Sequence, residues 1–587
     1  VAWLKDFMGG VRMKMIDLEN VELHYVESIE EVNNFFNWLG LKRDFLSFDL
    51  ETGGLSFWRD ALRLFQLGDC NTAWAFRGDR WLGVLEEVMN KYEGPICGHN
   101  VYFDVRTTEF NNIHVPKKNL HDTMNMSHII DPVKSVALKT RTSSMLSPQA
   151  KKLSGALAGA MKEQGWGWDT VPVDFPIYHF YGAFDCILTA RLAEAYYPQI
   201  QAEFQDVYDL EMETSRICSN MEVQGTRIDL PYCNEKYVEL TKYCQDAELW
   251  CLENYGVRPS ENQQVAIALV KDGVDLSKTT ASGQWSTDKD VLEGLEYHPL
   301  ARTVLGHRQA SKIRQSYFSN FLSMNDNGVL HPSIRTLGAK TGRMALSTPA
   351  LQTIPRGSVV RNAFIPFEGQ KMLSVDYSGV EARLFAHFAN EEGLIKVFRE
   401  GFDPHSYTAQ QVFGVETPTK AQRQVAKNAT FCMLYGGGPE KMGWTAGIST
   451  EDAAAFLDAY KARFPGVDRF MKSVEQVARE RLKTEGRGYV KTPIGRRQIG
   501  VKDKLYALVN ALIQGTSADV LKRALVDLDM AGFGKYMLLP IHDEILFSIP
   551  EEVDVNEIIN IMEDRDSFRV PLICEASPLL EKWGDKV

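Results

Sequence analysis

The chain has 587 residues and a mass of 66.3 kDa, with 44% hydrophobic and 24% charged side chains. At about 150 residues per domain this is roughly four domains' worth of ordinary globular protein, which excludes a peptide hormone, a small inhibitor, a lone binding module and a disordered or coiled-coil chain. With 65 basic and 77 acidic residues the net charge is −12, which taken whole argues against a polyanionic partner.

Nine cysteines form no Cys-x-x-Cys pair. Neither structural zinc nor a disulfide framework is expected, and a reducing, cytoplasmic compartment is. No apolar run reaches the length of a membrane span, and the opening VAWLKDFMGGVRMKM lacks the apolar stretch of a signal peptide. It does not begin with Met, so Met13 and Met15 are candidate internal starts.

Along the chain, 45–50 (FLSFDL), 62–67 (LRLFQL) and 73–76 read as short buried strands between Gly-rich turns. Helical patterns follow at 81–91 and 183–200, so roughly the first 200 residues are expected to form an α/β domain. The charge is segregated beyond that point. Residues 203–261 carry a net −8 and 544–587 a net −7, whereas 300–344 carry +6 and 469–504 carry +7. Two basic regions in an acidic protein suit a polyanion channel, although a solvated charged helix is the commoner meaning of any single run.

Phe48-Asp49-Leu50-Glu51 alternates apolar and acidic residues, so a strand would send Asp49 and Glu51 to one face and Phe48 and Leu50 to the other. Carboxylates held that close repel unless a cation neutralises them. Asn100 and Asp104 are spaced to share a helix face, and Tyr181 and Asp185 stand four apart on another. Hard oxygen ligands favour Mg²⁺ or Mn²⁺ over zinc. Each pair alone is usually a solvated edge or a surface pair. The ordered set resembles the three motifs of the DnaQ-like 3′–5′ exonucleases, in the variant with Tyr in the last motif. The resemblance implies an RNase H-like fold, Asp49, Glu51, Asp104 and Asp185 as metal ligands, and Tyr181 as the phenol that orients water.

In the second half, Thr417-Pro418-Thr419 offers a cap and a first-turn proline, and Gly436-Gly437-Gly438 ends the helical reading. Between them Arg423, Lys427, Phe431 and Tyr435 recur every four residues along one slowly winding stripe. Two cations followed by two aromatics fit a triphosphate at one end and a base at the other; they fit equally a solvated basic helix with a buried aromatic end. Two further segments favour the nucleotide. Residues 371–378 read as a buried strand delivering Asp376 near its end, ahead of a helix with Glu381. Leu538–Phe547 reads as two apolar strands joined by an acidic turn that exposes Asp543 and Glu544 at its tip. Carboxylates from separate β elements beside a cationic helix match two-metal phosphoryl transfer.

Asp376-Tyr377-Ser378-Gly379-Val380-Glu381-Ala382-Arg383, the Arg423 to Tyr435 stripe and His542-Asp543-Glu544 resemble motifs A, B and C of the family A DNA polymerases. Thr341-Gly342-Arg343, Leu351-Gln352-Thr353 and Gln514-Gly515-Thr516 are also similar to family segments, in the family's order. With the exonuclease motifs, the likeness covers essentially the whole chain and is to the large fragment of bacterial DNA polymerase I. The length leaves no room for a 5′-nuclease and suggests a bacteriophage replicative enzyme.

The resemblance implies an α/β exonuclease domain over 1–201 and an α+β right-hand polymerase over 202–587. The thumb would span about 206–330, the palm 331–395 and 500–587, and the fingers 396–499. It implies Asp376 and Asp543 as Mg²⁺ ligands, with Arg423, Lys427 and His405 on the triphosphate and Lys427 donating a proton to pyrophosphate. Phe431 would lie on the incoming sugar and base, Tyr435 would shape the template pocket, and Glu381 would exclude a ribose 2′-OH. Arg343, Asn510 and Gln514 would read the minor groove, and His542, Lys312 and Arg314 would contact DNA. The expected partners are primer–template DNA, dNTPs and replisome proteins (helicase, primase, single-strand-binding protein), with the chain itself monomeric. Gly379, Thr353 and Cys432 depart from the family's usual Gln, Asn and Gly.

Phe431 in place of the family's alternative Tyr leads to the expectation of poor dideoxynucleotide use, checked by chain termination with the wild type. Two rival readings are a single-subunit RNA polymerase and a nuclease whose C-terminal half only binds DNA. Glu381, His542-Asp543-Glu544 and the exonuclease motifs speak against the first.

Overall fold

A computed structural model describes residues 21–145, 149–280, 282–355 and 357–586; the candidate starts at Met13 and Met15 lie outside them. The N-terminal part is built on a six-stranded sheet. Its strands are β1 (Glu22–Tyr25), β2 (Leu46–Thr52), β3 (Leu62–Gly68), β4 (Thr72–Arg77), β5 (Ile96–Gly98) and β6 (Leu120–Asp122), in spatial order β1-β4-β3-β2-β5-β6. The expected strands at 45–50, 62–67 and 73–76 are β2, β3 and β4, each shifted or extended by a residue or two. β3 runs antiparallel to both neighbours, while β1–β4, β2–β5 and β5–β6 are parallel.

Phe48 and Leu50 are buried as the alternation requires, opposite Leu67 and Phe65. Among the helices packed around this sheet are α1 (Val101–Phe110), α2 (Leu138–Met145) and the 28-residue α3 (Pro176–Glu203), which opens on a proline at its first turn. α3 covers the 183–200 pattern and begins seven residues earlier than expected.

Next come α4 (Gln205–Gln224) and α5 (Leu230–Tyr255), the latter capped by the Asp229 side chain on Tyr232 N. The second sheet has four strands, all antiparallel: β7 (Lys371–Tyr377), β10 (Met537–Ile541), β11 (Glu544–Ile549) and β12 (Cys574–Ala576), ordered β10-β11-β7-β12. Met372, Leu373 and Val375 of β7 and Leu538, Leu539, Ile545, Leu546 and Phe547 of the hairpin are fully buried. This burial fixes the register, because a one-residue slip would turn apolar side chains out and acidic ones in. Between β7 and β10 lie α6 (Val380–Ala389), α7 (Pro404–Phe413), α8 (Lys420–Leu434), the hairpin β8 (Tyr489–Lys491) and β9 (Arg497–Ile499), and α9 (Leu508–Met530).

Periodicity gives no sign of a buried charge network that ties α4 to α9 and the β8–β9 hairpin. Lys522 Nζ donates to Glu211 Oε1 at 2.6 Å, Arg496 pairs with the same oxygen, and Arg496 Nε donates to Asp519 Oδ1 at 2.7 Å. Glu211 and Lys522 have no exposed side-chain surface. Burial alone would raise the Glu211 carboxyl, but Lys522 and Arg496 outweigh it and hold the group below its ordinary value. Removing one partner of a buried pair leaves an uncompensated charge, at a cost of about 3–5 kcal/mol. Glu211→Ala strands the buried Lys522 and leaves Arg496 with Asp519 alone, so its thermal unfolding midpoint is expected to fall well below that of an exposed control such as Glu557→Ala.

Candidate active sites

The first site gathers on β2. Asp49 and Glu51 project from the strand, and the α1 residue Asp104 reaches the backbone between them, its Oδ1 accepting Leu50 N at 3.2 Å. Asp122 holds α1 in place: its carboxylate accepts Asn100 N at 3.0 Å and Val101 N at 3.1 Å, as well as Met124 N at 2.7 Å. Asn100 does not share a helix face with Asp104. It stands outside α1 as the residue before its first turn, with a left-handed φ of 66°. Asn tolerates that conformation better than most side chains, and here it serves a chain reversal.

From α3, Asp185 pairs with Lys139 of α2, and the Lys139 ammonium lies 4.3 Å from the centre of the Tyr181 ring. Burial pushes Asp49 up to about 7, against the attraction of Lys139. Burial first, and then Asp49, push Glu51 and Asp104 well above the ordinary carboxyl range. Lys139 itself is lowered to about 8 by burial, against the pull of Asp49 and Glu51. Four carboxylates and one ammonium thus share one low-dielectric space with an excess of negative charge. Neither Lys139 nor Asp122 is signalled by the sequence, since both lie between the recognisable motifs. Trp166 packs on Phe175 at 5.3 Å, whereas Trp168 is half-exposed, 6.2 Å from the Tyr181 ring.

The second site lies at the end of the antiparallel β11–β7 pair. Asp376 is in register with Glu544, and Tyr377 N donates to the Asp543 carbonyl at 3.1 Å, which sets Asp376 and Asp543 on neighbouring strand ends. The β10–β11 turn is tight: His542 is exposed and left-handed, with φ 56°. Ser517 Oγ of α9 stands 3.3 Å from Asp543 Oδ1.

The hairpin departs from expectation at Glu544, which is not exposed at the tip. It is the first residue of β11 and is buried, held by Ser374 Oγ, by Lys586 Nζ at 3.3 Å and by Trp583 Nε1 at 3.4 Å. Strand alternation turns it inward, where the C-terminal segment supplies its donors. Burial, then Glu544 and Asp543, push Asp376 up to about 6, with Lys586 opposing.

A cavity of about 1050 Å³ opens over these aspartates. Among its walls are Arg343, Glu381, His405, Phe431, Tyr435 and His542. Glu381, in the first turn of α6, is buried; Arg343 pairs with it and Tyr435 Oη donates to it at 3.2 Å. Phe431 and Tyr435 lie nearly parallel with centroids 6.3 Å apart, and His405 is 6.0 Å from Phe431.

The carrier helix α8 begins two residues later than a Thr417 cap would give. Its cap is Thr419, whose side chain and Gln422 satisfy each other's backbone N–H groups, so Pro418 lies before the helix. Arg423 and Lys427 stand farther up α8, half-buried, with Arg423 paired to Asp403. Asn510 and Gln514 are on α9, half-buried, and the Asn510 side-chain oxygen has no hydrogen-bond partner. Lys312 is exposed and Arg314 Nη1 donates to Thr241 Oγ1 at 3.4 Å; neither lines the cavity. Gly379 takes the left-handed φ of 61° that precedes α6, and Cys432 is buried with Sγ 3.6 Å from the Gly438 carbonyl. Among the described residues, no three His, Cys, Asp or Glu side chains form a closed metal-ligand cluster.

The model of DNA polymerase family A matches residues 231–585. The chain belongs to that family. The family A segment contains β7, the β10–β11 hairpin and α8, the elements that build the second site. The chain is 28% identical over 605 residues to the DNA polymerase of Mycobacterium phage D29, covering 96% of this chain and 97% of that one. It is 33% identical over 427 residues to DNA polymerase I of Streptococcus pneumoniae serotype 4, covering 66% of this chain and 46% of the relative. A solved POL domain of Pol1 from M. smegmatis, in complex with DNA primer-template and dNTP, shares the fold with a TM-score of 0.76 at 22% identity. That match covers 96% of this chain and all of the other. Among the described residues, no helix of this family A polymerase is long and apolar enough to cross a membrane.

Proposed function

We propose that this polymerase extends a DNA primer 3′-OH on a template with dNTPs by two-metal phosphoryl transfer, and that its N-terminal part is an RNase H-like 3′–5′ exonuclease that proofreads. The observation that carries the reading is the delivery of Asp376 and Asp543 to one cavity floor by neighbouring antiparallel strands, beneath the α8 aromatics. The domain division is 1–201 for the nuclease and 202–587 for the polymerase, with thumb, palm and fingers at 206–330, 331–395 with 500–587, and 396–499. A phage replicative role in a bacterial cytoplasm fits the 96% coverage by the D29 relative. Replisome proteins and the monomeric state belong to the same reading.

The donor set fits a hard divalent cation: oxygen-only carboxylates, with Asp376 raised to about 6 for want of positive charge. Asp376 and Asp543 would hold Mg²⁺ at the polymerase site, and Asp49, Glu51, Asp104 and Asp185 would hold it at the nuclease site. When bound, Mg²⁺ would supply charge stabilisation for the phosphoryl group in transfer and an activated oxygen nucleophile.

The chain's own residues do the remaining work. Arg423, Lys427 and His405 bind the triphosphate, and Lys427 places a proton near the leaving pyrophosphate oxygen. Phe431 packs on the incoming sugar and base, and Tyr435 bounds the templating pocket. Arg343, Asn510 and Gln514 test the primer terminus through the minor groove, whose acceptors are nearly the same for every pair. Tyr181 orients the hydrolytic water.

Glu381 is held in place by Arg343 and Tyr435 and fills the space a ribose 2′-OH would need. Glu381→Ala is therefore expected to raise ribonucleotide incorporation at least about a hundredfold relative to dNTP, on the scale of ~3 kcal/mol of discrimination; single-nucleotide insertion kinetics check it. A primer–template assay in Mg²⁺ with and without dNTPs tests the whole reading: extension with dNTPs and shortening without them are expected. Shortening alone at every dNTP concentration would leave only the nuclease.

A further inference from the structure

Asp403 is the residue before α7, and its single carboxylate serves two elements at once. Oδ2 accepts Ser406 N at 2.9 Å and Ser406 Oγ at 2.5 Å, which caps α7. The same group receives Arg423 of α8 through Nε at 2.7 Å and Nη2 at 3.1 Å, a two-pronged guanidinium–carboxylate pair. α7 carries His405, whose ring faces Phe431 of α8, and both Asp403 and His405 line the cavity. Burial would raise the Asp403 carboxyl, but the hydrogen bonds from Arg423 and Ser406 hold it far below its ordinary value, so it is ionised throughout the working pH range.

A carboxylate on the wall of a cavity for a polyanion opposes the ligand's charge. It contacts phosphate unfavourably and so does not serve as a binding group. What it provides is geometry: the Arg423 side chain is 43% exposed, and without a fixed partner its guanidinium would give up the freedom of several rotatable bonds on meeting a ligand.

We propose that Asp403 is a positioning residue for nucleotide capture: it orients the Arg423 guanidinium toward the incoming triphosphate and fixes α7, with His405, against α8. The proposal rests on the reading of Arg423 as a triphosphate contact. Exposed ion pairs commonly contribute little, and the alternative role is a helix cap alone.

Asp403→Asn separates the two roles, because Asn caps a helix as well as Asp does but gives up the charged two-pronged pair. Steady-state insertion by the full chain is expected to show KM for dNTP raised about tenfold, kcat within twofold of wild type, and an unchanged thermal midpoint. Asp403→Ala is expected to raise KM further and to lower the midpoint as the cap is lost. In an Arg423→Ala background, Asp403→Asn is expected to add nothing. A rise in KM for Arg423→Ala with wild-type KM for Asp403→Asn would overturn the positioning role while leaving the triphosphate contact standing, as would additive effects in the double variant. Wild-type KM for Arg423→Ala would overturn the contact itself, and the proposal with it.

Discussion

Asp543→Ala is expected to lower primer extension by at least about a thousandfold, corresponding to ~4 kcal/mol of transition-state stabilisation, while degradation of single-stranded DNA continues at the wild-type rate. The residue sits at the β10–β11 turn with its carbonyl fixed by Tyr377 N and its carboxylate beside Ser517. Its side chain is half-buried on the cavity floor rather than within the core, so truncation removes charge without opening a void. Folding should survive, and an unchanged thermal midpoint is the control. Asp376→Ala should behave alike for extension. Glu544→Ala should differ: Glu544 is a buried partner of Ser374, Lys586 and Trp583, so its loss should appear in stability as well as in rate.

Asp49→Ala is the reciprocal case: single-strand degradation should fall by a similar factor and extension should be spared. Asp49 shares its space with Glu51, Asp104, Asp185 and Lys139, and burial has already pushed it up to about 7. Removing one member of a mutually repelling set relieves strain in the metal-free protein. The Asp49→Ala variant is therefore expected to be at least as thermally stable as wild type in EDTA, so lost nuclease activity could not be assigned to misfolding. Loss of both activities in either variant would argue against two independent sites.

Strand alternation at Phe48-Asp49-Leu50-Glu51 determines side-chain direction, so Asp49 and Glu51 share one face of β2, and the apolar runs around Asp376 and Asp543 bring those two to strand ends. The four-residue recurrence from Arg423 to Tyr435 likewise determines a shared helix stripe. Properties that depend on contacts distant in sequence were not legible. Glu544 reads as a turn residue until the C-terminal Trp583 and Lys586 fold over it. Lys139 and Asp122 enter the first site from segments with no periodic signature. The Glu211, Arg496, Lys522 and Asp519 network joins residues up to 311 positions apart. Asn100 and Pro418 show the opposite limit: helix spacing and cap chemistry mark both segments, but Asn100 stands one residue before its helix and Pro418 two residues before the first residue of α8.

Charge illustrates the same point. A net −12 opposes nucleic-acid binding only if it is spread evenly. Part of it is internal: Glu211 and Asp519 neutralise buried cations, and the carboxylates of both sites are placed where divalent cations would offset them.

The most direct measurement of two separate sites in one chain follows a 5′-labelled primer with a mismatched 3′ end on a template, in Mg²⁺, for the wild type, Asp543→Ala and Asp49→Ala. The wild type should shorten the primer and then extend it to full length when dNTPs are present. Asp543→Ala should shorten it with or without dNTPs, and Asp49→Ala should leave the mismatch in place and extend matched primers only. Full-length products from the mismatched primer in Asp49→Ala, made as fast as in the wild type, would contradict the account.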